Sequence, residues 1–166
     1  MPLTANINLY ATGKQTSVLD QGTASFPFAI STELAFTDGT TAGKADRIFA
    51  DTRTLTASAT ENLDVAGTLT DAYGATLTFV TVKAIVIKAA AGNTNDVQLT
   101  RPATNGVPLF MAAGDGIPIK PGGIFAWGCT GTGITVTPAT GDLFTVTNSA
   151  AGTGVTYDVL IIGTSA

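Results

Sequence analysis

Six carboxylates crowd one stretch of the chain: Asp38, Asp46, Asp51, Glu61, Asp64 and Asp71. Two carboxyl groups held close together can serve glycoside hydrolysis, one as acid and the other as nucleophile or base. Most of these six follow turn logic instead. Asp38 precedes Gly39, and Asp71 can bond to nearby backbone groups. Solvated turn or capping roles are therefore expected. Asn93-Thr94-Asn95-Asp96 offers alternating oxygens for calcium, but the EF-hand loop needs more acidic ligands, a Gly at its sixth place and a distal Glu. A polar turn is the expectation there.

Thr130-Gly131-Thr132-Gly133 and Ala151-Gly152-Thr153-Gly154 invite comparison with phosphate loops. A Walker A loop ends in Gly-Lys-Ser/Thr at the start of a helix. Both stretches precede strand-like sequence instead, and read as hairpin loops. Cys129 is the single thiol; there is no His to activate it and no basic residue nearer in sequence than Lys120. It is read as a small buried hydrophobe. Trp127 and Phe125 share a strand face and could stack on a sugar, although core packing is the commoner use of such a pair. No catalytic, cofactor-binding or metal-ligating set emerges, and enzyme activity is not expected.

The elements that would position these residues follow from composition. The 166 residues include 30 Thr, 25 Ala and 19 Gly, while only 12% are charged, about half the usual share. Thr and Val favour strands, Gly and Asn supply turns, and the good helix formers Glu, Lys, Gln and Arg are scarce. The chain reads as all-β. A folded monomer of this mass exposes on the order of 7,600 Å². Twenty charges are sparse over that surface, so it is either clothed in Thr, Ser and Asn or partly buried against other subunits.

Other classes drop out. One Cys excludes an intrachain disulfide and any Cys-built zinc site, and the absence of His removes imidazole chemistry. A pI near 4.4 argues against nucleic acid as a partner. No apolar run approaches the roughly 18 residues of a membrane helix, because Lys88 interrupts Ala84–Ala91. The first residues, Met1-Pro2-Leu3-Thr4-Ala5-Asn6, carry neither a basic region nor an apolar one, so no signal peptide is read and folding in a cytoplasm is expected.

Along the chain, residues 1–40 differ in character from the rest and are expected to form an N-terminal arm or edge strands. Two short strands, Ile7–Tyr10 and Thr16–Leu19, are expected around a turn at Ala11-Thr12-Gly13-Lys14, with Asp20-Gln21-Gly22 closing the second. Phe26, Phe28 and Ile30 then alternate with Pro27 and Ala29, which puts three large apolar groups on one face. Pro27 denies the ladder one donor, so this should be an edge strand or lie along another surface. Together with Phe36, these residues form a candidate clamp onto a neighbouring subunit.

Residues 41–166 are expected to form a β-sandwich. Ala42–Ala50 has room for a turn of helix. Arg53–Thr56 and Asn62–Val65 look like strands, and Leu69–Gly74 like a turn closed by a left-handed Gly74. Leu77–Lys88 is rich in β-branched residues, with Lys83 opposite Val80, Val82, Ala84 and Val86; Ile85 and Ile87 share its face, which points to burial on both sides. Val97–Arg101, Val107–Met111 after the hairpin dipeptide Asn105-Gly106, Ile117–Lys120, Ile124–Cys129, Ile134–Thr137, Leu143–Asn148 and Val155–Gly163 complete the set. About eight strands between Gly-rich turns suit a jelly-roll-like β-sandwich by number.

Several longer stretches resemble a family of small virion structural proteins of tailed bacteriophages. They are Thr37–Thr40 with Ala45–Leu55, Thr60–Phe79 (TENLDVAGTLTDAYGATLTF), Val82–Val97 (VKAIVIKAAAGNTNDV), Pro121-Gly122-Gly123 and Asp142–Ala166 (DLFTVTNSAAGTGVTYDVLIIGTSA), within about 130 residues. The resemblance implies a virion component of the capsid decoration, or cement, type. It further implies binding to the major capsid protein at the capsid surface, synthesis in the host cytoplasm and assembly as a homotrimer. It carries over no catalytic residues. Two other readings stay open: a tail-tip or fibre protein that binds a host receptor, for which Trp127, Tyr73 and Tyr157 should be exposed, and a non-viral carbohydrate-binding β-sandwich module.

Overall fold

Thr, Val and Ile branch at Cβ and pack well on a pleated surface, and the backbone follows that preference. The computed structural model describes residues 2–166, and among these residues it contains strands, turns and loops without a helix. In chain order the strands are β1 (Ala5–Leu19), β2 (Gly22–Asp38), β3 (Lys44–Ala45), β4 (Arg47–Leu55), β5 (Thr60–Asp64), β6 (Thr81–Ala89), β7 (Val97–Thr100), β8 (Gly116–Ile119), β9 (Ile124–Gly128), β10 (Ile134–Thr135), β11 (Leu143–Asn148) and β12 (Val155–Thr164).

Two antiparallel sheets form a β-sandwich. One runs β10-β6-β12-β4, with β9 beside β10 on the same edge of β6; the other runs β5-β11-β7-β8. Their inner faces share one apolar core. Phe49, Ile85, Ile87, Val159 and Ile161 from the first sheet meet Leu63, Val97, Leu99, Phe144 and Val146 from the second. Phe125 and Trp127, on one face of β9 as the alternation predicts, pack half-buried against that core.

The two-sided burial expected for β6 is present, and a bulge refines it. Ile162 pairs with Ala84 but Gly163 pairs with Val82, so Lys83 is the extra residue. The slip returns Val82 to the inner face beside Ile85 and Ile87, away from Ala84 and Val86 with which alternation had grouped it. Lys83 is buried and donates from Nζ to the carbonyls of Thr41 (2.6 Å) and Lys44 (2.8 Å). It thereby ties the 41–44 turn, where the N-terminal strands enter, to the centre of the sandwich.

Residues 5–38 form one long hairpin. β1 and β2 pair without a break from Ala5↔Phe36 to Leu19↔Gly22, closing at Asp20-Gln21, and β3 adds only a short parallel pairing at Thr37 and Asp38. At Pro27 the strand has a partner on one side only, as a missing N–H requires. The base of the hairpin packs on the outer face of the first sheet. Phe36, Ala45, Ala84 and Ile162 are buried there, with Ile7, Leu34 and Ile48 against them. Beyond Asn8 the hairpin lies against nothing but itself and is exposed along most of its length. The chain accordingly exposes 8977 Å², some 1,400 Å² more than the scaling for a folded chain of its mass.

Several local expectations are corrected. Ala11–Lys14 is strand rather than turn, because the Phe28 ring lies over Gly13 and fills the space its missing side chain leaves. Ala42–Ala50 holds no helical turn: Arg47–Leu55 pairs along nearly its whole length with β12, far away in sequence. Val107–Met111 is loop, tied to Leu143 through Gly106 and Val107, while Asn105 takes the left-handed conformation the dipeptide suggested (φ 58). Neither Gly-Thr stretch closes a hairpin. Residues 130–133 link two strands that both pair with β6, and residues 151–154 carry the chain from one sheet to the other.

Candidate functional site

The six carboxylates are spread among separate local tasks. Asp38 accepts from the Leu3 N–H, Asp64 from the Ala66 N–H, and Asp71 from the N–H groups of Tyr73 and Ala75, fixing the turn that Gly74 closes at φ 85. Asp46 accepts from the Ser165 N–H and hydroxyl, holding the C-terminal residues to the sheet. Asp51 accepts from Thr52 and Arg53. Glu61 sits between Arg53 (2.6 Å) and the Tyr157 hydroxyl (2.6 Å).

That last cluster braces the two sheets. Tyr157 on β12 is buried, and its hydroxyl reaches Glu61 on β5 across the sandwich. Burial, reinforced by the hydrogen bond to Glu61, raises the phenol well above its ordinary value. The Glu61 hydrogen bond, opposed by burial, raises the Arg53 guanidinium. Both Glu61 oxygens are occupied, one by each partner, so the carboxylate acts as a brace.

Asn93 exchanges two hydrogen bonds with the Thr156 backbone (both 2.9 Å), Asn95 donates to Asn148, Ala150 and Thr153, and Asp96 accepts from Lys120. The Asn-rich turn therefore staples the β6–β7 connection to the end of β11, the loop that follows it and the start of β12. Among the described residues no three His, Cys, Asp or Glu side chains converge on a point that could hold a metal ion. Cys129, expected to be buried, is half-buried immediately after β9, where its N–H donates to the Lys83 carbonyl. Of the three aromatics expected at a receptor-binding surface, Tyr73 is 79% exposed on its turn, whereas Tyr157 is buried and Trp127 half-buried.

What the fold does present is an apolar surface on the hairpin. Alternation puts Ala5, Ile7, Leu9, Ala11 and Gly13 on one face, opposite Phe36, Leu34, Thr32, Ile30 and Phe28, followed by Gln15 opposite Phe26. The reverse face carries Asn6, Asn8, Tyr10, Thr12 and Lys14 opposite Ala35, Glu33, Ser31, Ala29 and Pro27. One apolar stripe thus runs from the buried base out along the hairpin. Leu9, Ile30, Phe28 and Phe26 on it are 59%, 67%, 50% and 67% exposed, while Phe36 is fully buried. The four residues expected to act together therefore divide: Phe36 anchors the hairpin, and Phe26, Phe28 and Ile30 face solvent.

A second open apolar surface, with no signal in the local sequence, lies on the outer face of the first sheet. Pairing aligns its side chains in rows across four strands. Gly128, Ala84, Ile162 and Ile48 form a first row, which the hairpin base covers; a Cβ on Gly128 would stand 2.6 Å from Leu34 Cδ1. Ala126, Val86, Leu160 and Ala50 form the next row, where Ala126 and Ala50 are exposed and Val86 and Leu160 half-buried. Ile124, Lys88, Asp158 and Thr52 form the third, with Lys88 and Asp158 3.9 Å apart.

Comparison of the chain with protein-family models, with curated proteins and with solved structures finds no match.

Proposed function

We propose that this protein is a non-enzymatic structural component of a tailed-phage virion, a decoration protein that binds the outside of the capsid shell and stabilises it. The observation that carries the reading is the hairpin's exposed apolar stripe, a surface suited to binding by area. The sequence resemblance to phage virion proteins across residues 37–166 supports the same reading. A protein added to a finished shell gains hold by spanning neighbouring subunits, and contacts across capsomer boundaries oppose the pressure of packaged DNA. Low charge and Thr-rich β surfaces suit such packing, and a net charge of −4 discourages attachment to the DNA itself. The expected partners are the major capsid protein and further copies of the chain, as a homotrimer.

Copy number per particle tests the proposal. A decoration protein is present in hundreds of copies, whereas a tail-tip or fibre protein is present in a few to a few dozen. Of the three aromatics that the receptor-binding alternative called for on an exposed surface, Tyr73 is exposed, whereas the burial of Tyr157 and the half-burial of Trp127 weigh against it.

A further inference from the structure

A cleft of about 580 Å³ opens where three segments far apart in sequence meet: residues 2–3, the start of β4 and the turn 71–77. That volume falls within the roughly 300–1,000 Å³ of small-molecule sites. Leu3, held by the hydrogen bond from its N–H to Asp38 (3.0 Å), lines one side. Half-buried Ile48 and buried Leu77 add apolar lining.

Tyr73 borders this cleft and is exposed, on a turn whose backbone is fixed. Thr70 bridges Thr76, the Leu77 N–H donates to the Leu69 carbonyl (2.8 Å), and Asp71 Oδ1 accepts from the N–H groups of Tyr73 and Ala75 (both 2.9 Å). A large ring presented on a fixed turn offers a ligand apolar area at little cost in ordering. Arg47 lines the same cleft and is oriented too. Its Nη1 donates to the Asp46 carbonyl (3.0 Å) and carboxylate (3.4 Å), and Asp46 is held in turn by Ser165. The Nε and Nη2 donors of Arg47 have no partner among the described residues, and neither has Asp71 Oδ2.

We propose that this cleft binds a neutral glycan, with one sugar ring against Tyr73 and its hydroxyl groups shared between Arg47 and Asp71. Charge selects the class of ligand. An anion drawn to Arg47 would meet Asp71, and a cation drawn to Asp71 would meet Arg47. A sugar hydroxyl both donates and accepts, so it suits the pair, and the C–H face of a sugar ring suits an aromatic plane. A second concavity of about 310 Å³, lined by Asn62, Thr68 and Thr70 among others, adjoins the first at Asp71 and Ala72. It extends the site to a further sugar unit, so the ligand is a short chain. Trp127 and Phe125, the stacking pair that the sequence suggested, pack on the core and take no part. The inference goes beyond the virion reading and stands whether the chain sits on head or tail.

The test uses the full chain, labelled with nitrogen-15 and titrated with neutral trisaccharides of glucose, mannose, galactose and N-acetylglucosamine. Glucuronate and lysine amide serve as the anionic and cationic probes. At least one neutral trisaccharide should give saturable amide shifts centred on residues 46–48 and 68–77, with a Kd on the order of 1 mM or tighter. Tyr73→Ala and Arg47→Gln should each weaken binding about tenfold or more, while Tyr73→Trp retains it. The spectrum of each variant reports its fold, and Tyr73, being exposed, can change without disturbing the core. Absence of shifts with every neutral probe, shifts centred elsewhere, or tighter binding of a charged probe would overturn the proposal. So would neutral binding indifferent to Tyr73→Ala.

Discussion

Phe36 and Phe26 offer a controlled comparison: the same side chain, on the same strand and the same face, one buried and one 67% exposed. Burying a Phe ring removes about 200 Å² from water, which at about 25 cal/mol/Å² amounts to about 5 kcal/mol. Phe36→Ala should therefore cost about 3–5 kcal/mol, the range typical of a ring deleted from a packed site. Only a third of Phe26 is covered, and its own hairpin supplies that cover. Phe26→Ala should cost about 1–2 kcal/mol at most, a third of the full-burial figure, because a free hairpin can relax around the loss and adds no cavity penalty. Urea unfolding followed by Trp127 fluorescence reports the sandwich, and hydrogen exchange over residues 5–38 reports the hairpin. Measurements at the lowest usable concentration keep association from contributing. Phe36→Ala should lower protection at the hairpin base and shift the midpoint, while Phe26→Ala leaves the midpoint nearly in place. Equal losses from the two substitutions would refute the division into anchor and free stripe.

Two further predictions concern the sandwich. Tyr157 keeps its proton in the folded state at a pH where the unfolded chain, with an ordinary phenol near 10, has lost it. Its contribution is complete below about pH 10 and declines as pH rises above that value, so stability should fall there and Tyr157→Phe should flatten the slope in pH-dependent melting. Gly163 lies opposite the β6 bulge, where an added Cβ would collide with the Thr81 carbonyl. Gly163→Ala should destabilise by roughly 1–3 kcal/mol through overpacking against backbone; unchanged thermal melting would contradict the bulge geometry.

The strands were legible wherever local chemistry decided them. Leu143–Asn148 has the bounds its alternation indicates, and the β-branched run around Ile85 forms the central strand, buried on both sides. What the residues could not convey was non-local. Gly13-Lys14 looks like a turn until Phe28, fifteen places on from Gly13, is brought over the glycine by the hairpin register. Arg47–Phe49 becomes strand because β12 pairs with it. Lys83 was placed by a simple alternation that the bulge breaks. Strand number suits a jelly roll, but strand order depends on pairings that no local pattern encodes. The same limit applies to the interface. Phe26, Phe28, Ile30 and Phe36 share a period of two, and only the pairing of Phe36 beside Ala84 and Ile162 separates the anchor from the others. The aliphatic row Ala126, Val86, Leu160 and Ala50 draws on four distant strands and has no sequence signature.

The most direct measurement of the central claim is stoichiometry in purified particles, by quantitative gel or mass spectrometry against the major capsid protein. The decoration account predicts a ratio near one-to-one, or near one-to-three if single copies stand at three-fold positions. A ratio below a few per cent would contradict it and move the protein to the tail.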